Sequence, residues 1–124
     1  MKKVSSATVV STATDYAHRI QAGRYELLAD EPPAPFDLYL ASLAACTAIT
    51  LRMYAQRKGW DLGEFRAELQ LSFDEEGKVH VHRVLHATQP LSDAQWQRLL
   101  EIVANTPVTK AMREGATITS ARGV

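Results

Sequence analysis

Hydrophobic and polar positions alternate with two periods along this chain, and the changes between them mark its elements. Ala7 to Ser11, Tyr16 to Ala22 and Arg24 to Ala29 read as three strands, with a turn at Ala22-Gly23. Prolines 32, 33 and 35 then forbid helix or ladder. From Phe36 to about Lys58 there is neither glycine nor proline, and Leu40, Leu43, Thr47, Thr50, Leu51 and Tyr54 recur at helical spacing. That predicts one long helix, opened by Pro35 and Asp37 and stopped at Gly59. Its middle is nearly all small (Ala41, Ser42, Ala44, Ala45, Cys46, Ala48), which predicts a helix buried at the centre.

Strict alternation follows. Phe65, Ala67, Leu69, Leu71 and Phe73 share one face of a strand, and Asp74 to Gly77 form a turn. On the returning strand Val79, Val81 and Leu85 share one face, and His80, His82, Val84 and His86 the other. Ser92 and Gln95 have the spacing of a capping box, with Leu91 and Trp96 as its staple, for a helix to about Asn105. Thr106-Pro107 reads as an N-cap and first-turn proline of a short helix to Arg113, ended by Gly115. Ala116 to Ala121 reads as a last strand. The order β-β-β-α-β-β-α-α-β is of the α+β class, with long central helix and antiparallel strands.

At 124 residues the chain suits a single domain spanning 1–124. Zero net charge, from 14 basic and 14 acidic residues, argues against nucleic acid as a partner. No apolar run approaches the ~20 residues that span a bilayer, so no membrane partner is expected. The N-terminus has two lysines but no apolar stretch of a signal peptide. One cysteine excludes a disulfide scaffold and fits a reducing, cytoplasmic setting. No phosphate-binding glycine loop, nucleotide fingerprint or nucleophile elbow is present, and no cofactor is expected.

Cys46 is the residue with chemistry to offer. A lone thiol is either a small buried filler or a nucleophile that an outside agent must reset. Dipole effects fade within the first turn, so its own helix cannot activate a thiol about ten residues in. A nucleophilic Cys46 needs a cation from elsewhere. Thr106 serves either its helix as an N-cap or a ligand near Cys46. His80 and His82 have metal-gripping spacing, but no carboxylate alternates with them, and a solvated strand face explains them; no metal site is expected.

The stretch Pro35-Phe36-Asp37-Leu38-Tyr39-Leu40-Ala41-Ser42-Leu43-Ala44-Ala45-Cys46-Thr47 resembles the central-helix motif of the OsmC/Ohr family, the osmotically inducible protein C and organic hydroperoxide resistance proteins. Leu51 to Ala55, Lys58-Gly59-Trp60 and Leu99 to Val108 continue the resemblance. It implies an intertwined homodimer with active sites at the subunit interface. It also implies reduction of organic hydroperoxides by two cysteines, with an arginine held by a glutamate. Here the first cysteine falls on Cys46 and the resolving one on Thr106, which cannot form a disulfide. The glutamate position falls on Phe36, beside Asp37. Arg19 and Arg24 are the candidates for the arginine. The resemblance thus implies a one-cysteine member in which Cys46, Arg19, Arg24 and Asp37 act catalytically and Phe36 and Thr106 line the substrate site. Its small-molecule hydroperoxide would be reduced with an external thiol as reductant. The competing class is a non-enzymatic binder of a small apolar ligand, lined passively by Cys46.

Overall fold

The computed structural model describes residues 2–3, 5–11, 18–30 and 34–123. The proposed strand positions Tyr16 and Ala17 and the breaker Glu31 to Pro33 lie outside the described residues. The chain forms two compact units, Met1–Tyr39 and Leu40–Val124.

In the first unit, β1 (Ala7–Val9), β2 (His18–Ala22) and β3 (Tyr25–Ala29) form an antiparallel sheet in that order, with Val9 opposite Ile20 and Arg19 opposite Leu28. Gly23 turns β2 into β3 at φ +58°, a conformation costly for any residue with a Cβ.

The helix α1 (Ala34–Lys58) begins two residues before Phe36 and keeps Pro35 in its first turn, where a missing N–H costs nothing. Its other end is a Schellman stop. Gly59 at φ +71° donates its N–H to Gln56 O at 3.2 Å, and Trp60 donates to Ala55 O at 2.9 Å. Trp60 then meets Tyr54 edge to face, ring centroids 5.6 Å apart.

β4 (Phe65–Phe73) and β5 (Val79–Ala87) pair antiparallel, with Leu69 opposite Arg83 and Leu71 opposite Val81. Asp74 shapes their turn by accepting the Glu76 and Lys78 N–H groups, both at 2.9 Å. Helix α2 (Asp93–Val103) opens with the expected box. Gln95 N donates to Ser92 Oγ at 3.1 Å, and Ser92 N donates to Gln95 Oε1 at 2.8 Å. Helix α3 (Pro107–Glu114) opens on Thr106 as N-cap with Pro107 behind it, and Gly115 closes it at φ +78°.

The core of the second unit is Leu51, Ala55, Leu62, Leu99 and Val103, ringed by Tyr54, Trp60, Phe65, Leu85 and Trp96. Leu51, Leu62 and Leu99 are wholly buried, each contributing about 1.5–3 kcal/mol of transfer free energy.

Three expectations change. The long helix is not buried all round by this chain. Only Leu43, Thr47, Leu51 and Ala55, spaced by four, are buried, while Ala41, Ser42, Ala45, Ile49 and Met53 are exposed. By length and composition α1 is also long and apolar enough to cross a membrane, with a mean hydropathy of 1.4 over a window of 18 of its residues, contrary to the sequence reading. Leu51 and Ala55 instead cluster with Leu99 and Val103 of α2, as a core helix does. Finally, Ala116 to Ala121 forms no strand; its side chains are exposed, and a strand needs a ladder partner that these residues lack within the described chain.

Candidate functional site

The site is assembled by the second unit from four elements. α1 supplies Cys46 and Thr47, β5 supplies Arg83, the end of α2 supplies the Val103 carbonyl, and the start of α3 supplies Thr106, Val108 and Thr109. Cys46 is half-buried, one position from the buried stripe of α1.

Thr47 beside it has no exposed surface, and its hydroxyl both donates and accepts. It donates to Leu43 O at 2.7 Å, one turn back, and accepts Arg83 Nη1 at 2.7 Å. The Val103 carbonyl is one of the orphans every helix end leaves. Arg83 Nη2 satisfies it at 2.7 Å and Thr109 Oγ1 at 3.0 Å. Arg83 Nη1 also donates to Thr109 Oγ1 at 3.3 Å. Three hydrogen bonds from two nitrogens fix the guanidinium plane.

Among the described residues no carboxylate pairs with Arg83, although Arg19, Arg66 and Arg98 each have one. Burial pushes the Arg83 pKa down and the charge of Cys46 pushes it up, leaving it below the ordinary value. A guanidinium stays charged through such a shift.

Burial alone would push the Cys46 thiol up. The Val108 backbone, the Thr106 and Thr50 hydroxyls and the charge of Arg83 outweigh it, and the thiol lies below its ordinary value. Cys46 Sγ is 4.0 Å from Thr50 Oγ1. Val108 stands in the first turn of α3, so the sulfur meets a helix N-terminus after all, but that of another helix. Thr106, 2% exposed, is both cap and site residue: its hydroxyl accepts Thr109 N–H at 3.3 Å and lies 2.6 Å from Thr109 Oγ1. The two sequence readings of Thr106 are therefore compatible.

The other candidates belong to the first unit. Arg19 pairs with Glu26 at 3.2 Å, both side chains largely exposed. Arg24 donates to the Tyr25 hydroxyl at 3.0 Å and lies 5.2 Å from its ring centre. Phe36 and Asp37 are exposed in the first turn of α1. Among the described residues of the second unit, the cation beside Cys46 is Arg83, which sequence reading missed. Its signal was present. On β5 the inward face runs Val79, Val81, Arg83, Leu85, Ala87, and Arg83 is its one charge.

The histidines have carboxylate neighbours that period-two reasoning on one strand does not reveal. His80 Nε2 is 2.7 Å from Asp74 Oδ2, and His86 Nε2 is 3.5 Å from Glu68 Oε2. Among the described residues no group of three or more His, Cys, Asp or Glu is placed to hold a metal ion.

The family model described as OsmC-like protein matches residues 29–121. No curated protein matches significantly in sequence. Among solved structures, a putative osmotic stress induced and detoxification response protein from Psychrobacter arcticus superimposes with a TM-score of 0.73 at 20% identity, covering 90% of each chain. An OsmC like protein from Mycoplasma pneumoniae gives 0.71 at 19% identity, over 91% of this chain and 89% of that one. The organic hydroperoxide resistance protein OhrB of Bacillus subtilis gives 0.61 at 22% identity, over 90% and 91%. At these identities the likeness is one of fold: α+β, a long helix with antiparallel sheets.

Proposed function

This chain belongs to the OsmC-like protein family, and from that premise we propose that it is a cytoplasmic one-cysteine thiol peroxidase of oxidative stress defence, reducing organic hydroperoxides at Cys46 with an external thiol. The observation that carries the reading is Arg83: a half-buried cation without a carboxylate partner among the described residues, locked beside the only cysteine. A passive apolar lining has no use for that charge. Relatives in fold that are organic hydroperoxide resistance proteins support the same substrate class.

The chemistry runs in two stages. The Cys46 thiolate attacks the outer peroxide oxygen. An S–O bond forms, the O–O bond breaks, and the alkoxide leaves and takes a proton to become the alcohol. Sulfur is oxidised to the sulfenic acid and the peroxide is reduced. A guanidinium has five N–H donors, of which Arg83 commits three, so two remain for the charge on the departing oxygen. An external thiol then attacks the sulfenic sulfur and releases water, giving a mixed disulfide. A second thiol frees Cys46 and leaves as the oxidised disulfide.

The working unit is a homodimer in this reading, because α1 exposes Ala45, Ile49 and Met53 on a face this chain does not cover. Light scattering that returns a monomer mass at micromolar concentration removes that part.

Intact mass spectrometry after dimedone trapping tests the chemistry, with cumene hydroperoxide as oxidant and Cys46→Ser as control. Stoichiometric labelling within seconds at neutral pH is expected. Labelling no faster than that of a free cysteine overturns the proposal.

A further inference from the structure

The hydrogen bonds of Arg83 decide which of its donors stay free. Nη1 has two protons and two acceptors, Thr47 Oγ1 at 2.7 Å and Thr109 Oγ1 at 3.3 Å. Nη2 spends one proton on Val103 O at 2.7 Å. That oxygen lies 3.0 Å from Thr109 Oγ1. Two acceptors so close together, one on each Nη, fit only the blunt end of the guanidinium, where Nη1 and Nη2 point the same way. The protons left over are therefore Nε–H and the other Nη2–H. These lie on one edge of the planar group and point in parallel, the fork that takes a carboxylate through both oxygens. Among the described residues no acceptor meets that edge. The bonded side faces inward, to wholly buried Thr47 and to buried Val103, so the surface that half-buried Arg83 keeps is on the side of the free fork.

We propose that the substrates of this site are peroxycarboxylic acids, whose departing carboxylate the free edge of Arg83 receives through both oxygens. The proposal rests on the peroxidase reading and narrows its substrate class. The Cys46 thiolate attacks the terminal hydroxyl oxygen of the peroxy acid. An S–O bond forms and the O–O bond breaks, and its electron pair leaves with the carboxylate. Sulfur is oxidised to the sulfenic acid, and the peroxy acid is reduced. A carboxylate is stable as an anion at neutral pH, so this leaving group needs no proton, whereas an alkoxide does. Its charge also spreads over two oxygens, which engage both free donors at once, whereas an alkoxide has one oxygen to offer. Thr47 holds the fork beside the nucleophile. Its own proton goes to Leu43 O at 2.7 Å, so towards Arg83 it presents only a lone pair, and it adjoins Cys46 on α1. The three acceptors that fix Arg83 are neutral, so its positive charge remains available to an anion.

The test is the second-order rate of Cys46 oxidation in the intact protein, read by dimedone trapping and intact mass, with meta-chloroperoxybenzoic acid and with cumene hydroperoxide. Each rate is divided by that of free cysteine with the same oxidant, which removes the greater intrinsic reactivity of the peroxy acid. The quotient for the peroxy acid is expected to exceed that for the hydroperoxide at least about tenfold, short of the ~100-fold of a fully enclosed oxyanion donor. Arg83→Lys keeps a charge without the fork, and there the excess should vanish. Millimolar benzoate at constant ionic strength should slow monobromobimane labelling of wild-type Cys46, and neutral benzamide should not. Equal quotients in wild type, an excess that survives in Arg83→Lys, or benzoate no more protective than benzamide overturns the proposal. Should Arg83→Lys not fold by circular dichroism, the wild-type quotients and the benzoate arm decide. If both oxidants outpace free cysteine by the same factor, the peroxidase reading stands and the peroxy acid preference falls. If neither outpaces it, the peroxidase reading itself falls, and this substrate class with it.

Discussion

The guanidinium of Arg83, on β5, donates at 2.7 Å to the hydroxyl of Thr47, the residue next to Cys46 on α1. This bond ties strand to helix across 36 positions of sequence and sets a cation beside the thiol.

Arg83→Met removes the cation and three donors. The Cys46 profile should rise in pH, because the charge of Arg83 helps to hold the thiol down. Stability should fall by about 1–3 kcal/mol, the cost of leaving buried polar groups short of partners. Arg83→Lys keeps the charge but not the fork, and should restore part of the thiol shift and little of the stability. Bimane labelling across pH and urea denaturation separate the two effects.

Cys46 also predicts a pH dependence of stability. Its folded pKa lies below the ordinary value, because the Val108, Thr106 and Thr50 hydrogen bonds and Arg83 outweigh burial. A depressed acid contributes stability that is present above the unfolded pKa and lost as pH falls through the folded one. The stability of wild type relative to Cys46→Ser should therefore increase as pH climbs through the window just below the ordinary thiol range. Urea midpoints of both proteins across that window check the sign.

Thr106→Cys places a second sulfur where a hydroxyl now serves the first. Treated with stoichiometric cumene hydroperoxide, it should lose two hydrogens in mass by forming a disulfide, where wild type gains an oxygen or a thiol adduct. The variant also loses an N-cap, at about 1 kcal/mol. Non-reducing mass spectrometry distinguishes the products.

Ser92→Ala removes the cap of α2, whose first turn stands apart from the thiol. About 1 kcal/mol of stability should go, with the Cys46 profile unchanged. Leu99→Ala, in the wholly buried core, should cost about 2–5 kcal/mol.

Most of this architecture was legible where local chemistry decides it. The Ser92–Gln95 box, the Thr106-Pro107 start and the Gly59 stop are each fixed by residues within one turn of one another, and each forms as expected. The β4–β5 hairpin follows from alternation and a turn. The strand expected at Ala116 to Ala121 has suitable composition, but pairing is a relation between segments and composition does not supply the partner. The same limit explains Arg83. Arg19 and Arg24 came from the family resemblance, whereas what pointed to Arg83 was its face: an arginine in register with Val81 and Leu85 must find partners in the interior, and it finds Thr47, Thr109 and Val103. Cys46 and Thr106 were visible through a family motif, and the caps of α3 gave Thr106 a second reading.

Having threonine at 106 and no other cysteine has a temporal consequence. Once Cys46 is oxidised, the chain holds no internal exit from that state. In the proposed reaction, how long the mark persists is set by the thiol concentration outside, since the first-order decay rate is a rate constant multiplied by that concentration. The fraction of molecules marked at any moment then registers the ratio of oxidant to thiol in the surroundings, averaged over that lifetime. A two-cysteine chain would instead close the sulfenic acid as an internal disulfide with loss of water, so its first step out of that state needs no outside thiol.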